Sequence, residues 1–270
     1  MNKRDLGILA AVIILAAVLA ASIFSGAAAE TASWGLSFRT PGAPPVGTAD
    51  NAALRKLDAA FMGDPGEKVI FLTFDAGYEN GHTEKILDTL QSHDVKAAFF
   101  LVGDYVERNA DLTRRMVTDG HIVGNHTMDH PDISENPDKL PQQLKGMEDL
   151  FREVTGSELP KFYRPPMGKY TEENLKTAKE LGYKTVFWSL AYADWDQQHQ
   201  PDPEAAVKKL LERTHNGMVV LLHSTSETNA EILDTLISRW KDLGYRFGTL
   251  EELFGGRQCL HPISGLTVVC

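Results

Sequence analysis

Cysteine is nearly missing from this sequence. Only Cys259 and Cys270 carry a thiol among 270 residues, both at the C-terminal end. That excludes a disulfide-stapled miniature fold and a cysteine-built metal module. The two could close a small terminal loop or stay reduced, and their spacing decides for neither. Positive charge is also short: 27 Lys and Arg stand against 37 Asp and Glu, a net charge of −10. The chain therefore lacks the basic footprint of a nucleic-acid binder, and an anionic polymer would have to be gripped by local cations. No internal repeat or low-complexity block stands out. No His-Glu-x-x-His helix is present, which sets a secreted metallopeptidase aside.

Long apolar runs are absent too, with one exception. Leu6 to Phe24 follows Lys3 and Arg4 and leads to Ala27-Ala28-Ala29. A positive start, an apolar middle and a small-residue exit make an export signal. Residues 1–29 are expected to be a signal peptide cleaved near Ala29, with a membrane anchor through residues 6–24 as the alternative. Either way the folded part is expected outside the cytoplasmic membrane.

What is present is a globular composition, 43% hydrophobic, in a chain long enough for one large core. Residues 30–66 are rich in Ala, Gly, Pro and Ser. They read as a linker and N-terminal arm with a helix-like piece at Asn51–Phe61 and anchors at Trp34 and Phe38. Residues 67–256 form the main domain and 257–270 a tail. Strands are expected at Val69–Phe74, Ala97–Val102, His121–Asn125, Phe162–Tyr163, Thr185–Leu190, Met218–Leu222 and Tyr245–Thr249. Helices are expected between them at Gly81–Gln91, Asp111–Thr118, Lys139–Val154, Thr171–Leu181, Pro203–Thr214 and Asn229–Leu243, most ended by glycine. Near-continuous apolar strands separated by helices imply an α/β fold with a parallel sheet covered on both faces. About seven parallel strands of this kind fit a (β/α) barrel better than an open sheet.

Polar residues recur where these strands end. Asp75 closes the first, His126 and His130 follow the third, Arg164 the fourth, Asp194-Trp195 the fifth and His223 the sixth. In a parallel barrel those points gather on one face. Taken singly, each residue has a plain structural explanation. Asp75 is as readily a turn residue or helix N-cap, and an isolated His-x-x-x-His is more often a solvated turn. Asp194-Trp195 fits a surface turn, and His223 a satisfied core histidine. Yet two imidazoles at this spacing on a helical turn would share a face and hold one metal ion. Arg164, stiffened by Pro165-Pro166, brings a rigid donor fork suited to a carboxylate.

Thr73-Phe74-Asp75, His126-Thr-x-x-His130, Arg164-Pro-Pro-x-Gly168, Asp194-Trp195 and Leu221-x-His223, in this order, resemble the polysaccharide deacetylase family, carbohydrate esterase family four. The likeness runs from about Lys68 to Phe254. Ala76-Gly-Tyr-Glu-Asn-Gly81 and Trp188-Ser-Leu-Ala-Tyr-Ala-Asp-Trp195 look most like the peptidoglycan N-acetylmuramic acid deacetylases that lead to muramic δ-lactam in spore cortex. The resemblance implies a distorted (β/α) barrel, an active site at the strand C-termini and hydrolysis of a sugar N-acetyl group on peptidoglycan. It implies Asp75 as general base, His223 as general acid, Arg164 as partner of Asp75 and Asp194 as the residue orienting His223. Trp195 and Leu221 would wall the acetyl pocket, and a backbone N–H at or near Tyr170 would help the oxyanion. His126 and His130 would hold a divalent metal, zinc ahead of magnesium or manganese.

One position departs from the family pattern. Most members carry a second Asp ligand where this chain has Ala76, although the δ-lactam branch also lacks it. Metal binding is therefore expected to be weak and easily reversed, with Asp75 or Asp129 as substitute ligands. Lys169 or Lys161 would meet a lactyl carboxylate. A monomer acting on glycan strands is expected. One alternative is a deacetylase of N-acetylglucosamine in peptidoglycan or chitin-like glycans. Another is a non-catalytic wall-glycan binder, which Ala76 favours and the retained Asp75, Arg164, Asp194 and His223 oppose.

Overall fold

Apolar runs and glycine-stopped helices assemble into one parallel sheet of eight strands. The computed structural model describes residues 31–255 and the backbone of 258–260 and 267–269. The expected leader and the Cys259–Cys270 pairing lie outside the described residues.

The arm comes first: β1 (Ala32–Ser33), β2 (Leu36–Ser37), β3 (Val46–Gly47), α1 (Asn51–Arg55) and β4 (Ala59–Ala60). The barrel proper runs β5 (Val69–Ala76), α2 (Thr83–Ser92), β6 (Ala98–Leu101), α3 (Gly103–Arg108), α4 (Ala110–Thr118), β7 (Ile122–Asn125), α5 (Leu140–Thr155) and β8 (Phe162–Tyr163). It continues with β9 (Lys169–Tyr170), α6 (Glu172–Glu180), β10 (Lys184–Val186), α7 (Pro203–Glu212), β11 (Met218–His223), α8 (Glu227–Asp242), β12 (Arg246–Phe247) and α9 (Leu250–Leu253). The sheet order is β11-β5-β6-β7-β8-β10-β4, with β12 beside the start of β5.

After β10 the chain crosses from one sheet edge to the other. Phe187 N–H donates to Ala60, whereas Ser189 and Leu190 N–H donate to Val219, and Leu221 N–H returns to Leu190. The two ends of the sheet therefore curl toward one another into a distorted (β/α) barrel.

Strand periodicity sorts the core. In β5, Ile70, Leu72 and Phe74 pack outward with Ile86, Leu90 and Leu236 of the helices. Val69 and Phe71 point the other way and pack with Phe100, Phe162, Val186 and Val219 inside the barrel. Side chains alternate along a strand, so Thr73 and Asp75 share the inner side with Val69 and Phe71. By the same count Leu221 and His223 share it with Val219 in β11. The inner side is thus apolar at one end and polar at the other.

Two expectations about the arm change. The helix expected at Asn51–Phe61 ends at Arg55, and Ala59–Ala60 joins β10 as a parallel edge strand. Asp58 adopts a left-handed φ of 50°, and Asn51 Oδ1 accepts from Phe61 N–H at 3.2 Å. Sheet pairing overrides the helix propensity of an Ala-containing stretch. Trp34 anchors the arm, stacked 4.6 Å from Phe187 and tilted against Phe61 at 5.0 Å. Its Nε1 donates to the Trp188 carbonyl at 2.9 Å. Among the described residues no helix is long and apolar enough to cross a membrane.

Candidate active site

β5 and β11 are neighbours, and the parallel register sets Asp75 directly opposite His223. Adjacent strands lie about 4.8 Å apart, so the backbone ladder itself fixes the spacing of these two groups. Both line one cavity of about 820 Å3 together with His126, His130, Trp195 and Leu221.

Asp75 is 6% exposed and Arg164 is wholly enclosed. Arg164 Nη1 donates to Asp75 Oδ1 at 2.6 Å, Nη2 to Thr73 Oγ1 at 2.9 Å and Nε to the Val186 carbonyl at 3.0 Å. The guanidinium lies 4.2 Å over the Phe100 ring. Burial pushes the Asp75 carboxyl up, but Arg164, with His126 and His223, more than offsets it and holds the group below the usual carboxylate range. Asp75 is therefore an ionised carboxylate with a fixed direction.

His126 is 4% exposed. Its Nδ1 lies 2.8 Å from the Arg164 carbonyl, which can only accept, so Nδ1 carries the proton and Nε2 keeps its lone pair. That Nε2 is 3.5 Å from Asp75 Oδ2. Burial lowers the His126 pKa to about 4, and burial lowers that of His130 as well. The two rings meet edge-on at 4.8 Å. Neutral imidazoles are the form a metal ion takes.

The segment carrying them is not helical, contrary to the expectation from spacing. Thr127 and His130 have left-handed φ values of 71° and 53°. Asn125 Oδ1 accepts from Thr127 N–H, Thr127 Oγ1 from His130 N–H, and Gln143 Oε1 from Met128 and Asp129 N–H. These side-chain acceptors capture the donors that a helix would use. Asp129, like His130, is exposed, and its carboxylate accepts from Gln143 at 2.7 Å. Ala76 is buried at 1%. Among the described residues no cluster of three metal-binding side chains forms. Two neutral imidazoles are donor chemistry that fits a divalent ion.

His223 Nδ1 lies 2.7 Å from Asp194 Oδ1. Asp194 is fully enclosed. Its Oδ2 accepts from His223 N–H at 2.8 Å and Asn229 Nδ2 at 2.5 Å. Asn229 Oδ1 in turn accepts from Tyr192 OH at 2.5 Å. Burial works against a charged His223, but Asp194 and then Asp75 raise its pKa above the ordinary histidine value. Asp194 takes Nδ1, leaving Nε2 for a substrate.

Trp195 is 60% exposed and stands edge-on to His223, centroids 6.2 Å apart. Tyr170 is not on the cavity wall. Its ring packs 4.9 Å from Phe187 and its backbone pairs with Ala32 of β1. From the same loop Met167 lines the cavity, half exposed and with a left-handed φ of 57°. Lys161 and Lys169 do not line it either: each is 2.5 Å from a carboxylate, Glu148 and Asp132 respectively. Sequence reasoning gave no role to Asn229, Tyr192 or Met167. Tyr192 lies inside a quoted motif, but nothing in the sequence links Asn229 to Asp194.

An ionised carboxylate on a buried arginine faces a histidine biased toward its charged form, beside two neutral imidazoles, in a cavity of about 820 Å3. That is the equipment of an acid–base hydrolase. Residues 62–186 match the polysaccharide deacetylase profile, a stretch that includes Asp75, His126, His130 and Arg164. The chain is 39% identical over 235 residues to the peptidoglycan-N-acetylmuramic acid deacetylase PdaA of Bacillus subtilis, covering 86% of this chain and 89% of that protein. It is 35% identical over 206 residues to a peptidoglycan-N-acetylglucosamine deacetylase of Bacillus cereus, covering 74% of each. The solved structure of Bacillus subtilis PdaA, a family 4 carbohydrate esterase, superposes with a TM-score of 0.79 at 38% identity, covering 83% of this chain and 97% of that one. The chain belongs to the polysaccharide deacetylase family.

Proposed function

We propose that this protein hydrolyses the N-acetyl group of N-acetylmuramic acid residues in peptidoglycan, outside the cytoplasmic membrane, on the way to muramic δ-lactam. One observation carries the choice of sugar: the likeness to a muramic acid deacetylase spans 86% of the chain. Ala76 in place of a ligand Asp, as expected of the δ-lactam branch, is consistent with it.

The residues divide the chemistry as follows. Asp75 takes a proton from the attacking water as oxygen adds to the acetyl carbon, and Arg164 keeps Asp75 ionised and aimed. The expected oxyanion donor, at or near Tyr170, is off the cavity wall; Met167, earlier in the same loop, does line the cavity, and a backbone N–H there would serve the developing oxyanion instead. His223 Nε2 then protonates the nitrogen as the C–N bond breaks, releasing acetate and a free amine. Asp194 favours the charged form of His223 until that step. Leu221 and Trp195 flank the acetyl methyl. His126 and His130 would hold a divalent metal, which supplies Lewis-acid polarisation of the acetyl carbonyl when bound, and deacetylases of this family are generally metal-dependent.

The test is acetate release by the purified protein on glycan with and without stem peptides, after chelation and after adding back zinc, magnesium or manganese. Product masses are expected to place the lost acetyl on muramic residues. Loss from glucosamine residues instead would sink this reading in favour of the activity named for the Bacillus cereus relative.

A further inference from the structure

Asp194 takes Nδ1 of His223 on Oδ1, and on Oδ2 it accepts from the His223 backbone and from Asn229. The last of these donors comes from a helix rather than a strand end. Ser226 caps α8, its Oγ accepting from Asn229 N–H at 3.1 Å, and so sets Asn229 in the first turn. Asn229 Nδ2 reaches Asp194 Oδ2 at 2.5 Å and the His223 carbonyl at 3.0 Å. A carbonyl can only accept, so the amide nitrogen must face it and the amide oxygen must face away. Tyr192 OH donates to that oxygen at 2.5 Å. Tyr192 and Asp194 belong to one loop and grip the same amide from its two ends. Asn229 and Asp194 have no exposed surface, and Asn229 does not line the cavity. A buried amide must find partners wherever it sits. That need alone does not select the carboxylate that orients the acid and the carbonyl of the acid itself.

We infer that Asn229, oriented by Tyr192, is a positioning residue for the general acid: it keeps Asp194 an anion with Oδ1 reserved for His223, and it steadies that anion once the proton has left. The inference rests on the acid role given to His223 and is independent of which sugar loses its acetyl group. The ionisable groups around His223 are Asp194, Asp75 on β5, Arg164 beneath Asp75 and His130 from the loop after β7. Before transfer, Asp194 faces an imidazolium. After transfer the imidazole is neutral, and an enclosed carboxylate has lost its adjacent counter-charge. Only neutral N–H donors then hold Asp194, and Asn229 is one of them. Removing a hydrogen bond to a buried charge costs most in the state where that charge stands alone. Without Asn229 the His223–Asp194 pair therefore holds its proton more tightly. The acid becomes weaker and the alkaline limb of activity rises. Neutralising Asp194 itself has the opposite sign, because it removes the charge that favours the imidazolium.

The experiment measures acetate release from glycan by the purified protein, as kcat and KM against pH. Asn229→Leu is close to the native volume and brings no donor. Its alkaline limb is expected to rise by about 0.5–1 pH unit. Its kcat is expected to fall about tenfold and its KM to stay within about twofold, since the amide touches no substrate. Tyr192→Phe, which leaves the amide unsteadied, should move the limb the same way by less. Leucine at 229 leaves the Tyr192 hydroxyl buried without an acceptor. The double variant Asn229→Leu/Tyr192→Phe removes both partners, and it is expected to recover the melting midpoint but not the limb. It carries the measurement if the single variant melts early. Asp194→Asn, run alongside, should lower the limb. An Asn229→Leu limb that stays in place or falls, while that of Asp194→Asn falls, overturns the inference and leaves the acid role of His223 standing. A double variant with wild-type kcat and limb gives Asn229 a packing role and overturns it too. A limb that none of these substitutions moves overturns the acid role as well.

Discussion

Arg164 is an enclosed cation whose fork contacts Asp75, Thr73 and Val186 at once. The arrangement makes Asp75 a directed base rather than a mobile carboxylate. Asp75→Asn preserves shape and removes the proton acceptor, so acetate release is expected to fall by about 10²–10⁴-fold. Near-full activity in that variant would remove Asp75 from the reaction. The acid side has its own signature. His223 must be protonated to act, and Asp194 raises its pKa above the ordinary value of about 6.5. Activity should therefore be present below that raised pKa and lost as pH climbs through it. In Asp194→Asn the alkaline limb of kcat/KM is expected to move to lower pH, and an unmoved limb would assign it to another group. These residues were legible in sequence because each is a reactive type at the end of an apolar run. Asn229 was not, since an amide in α8 looks like any helix-terminal polar residue.

At the scale of elements, strands announced themselves and loops did not. The all-buried β5 reads as a strand from its composition alone. The His126–His130 loop reads as a helical turn, because its spacing is helical while its hydrogen-bond acceptors come from side chains. Gln143, on α5, sits well outside the local window. The Pro165–Gly168 loop is held by steric fit. Gly168 has a φ of 65°, and a Cβ there would lie 2.8 Å from the Trp188 ring and 3.0 Å from Trp34 Cβ. Gly168→Ala is expected to cost about 1–3 kcal/mol through backbone strain and crowding, with a lowered melting midpoint. It should also lose activity as Met167 and Trp188 shift on the cavity wall. A variant with an unchanged midpoint and rate would mean that the loop adapts without consequence.

Across the whole molecule, the arm is part of the machine rather than an appendage. It donates β4 to the sheet, seats Trp34 among Phe61 and Phe187, and lends Leu36 and Phe38 to the cavity. Trp34→Ala is expected to destabilise by about 3–5 kcal/mol, as for other large aromatic truncations in a core, measured by denaturant unfolding. A change within about 0.5 kcal/mol, usual for surface sites, would show that the arm docks without Trp34. The barrel was legible from its repeating strands and helices. The eighth strand was not, because two alanines carry no strand signal until β10 lies beside them.

Asp75 and His223 are rungs of the same backbone ladder. Their separation is thus inherited from the geometry of peptide groups and is insulated from changes in the loops above. Selection can recast the rim to suit a new glycan while the distance a proton must be carried stays where the sheet put it.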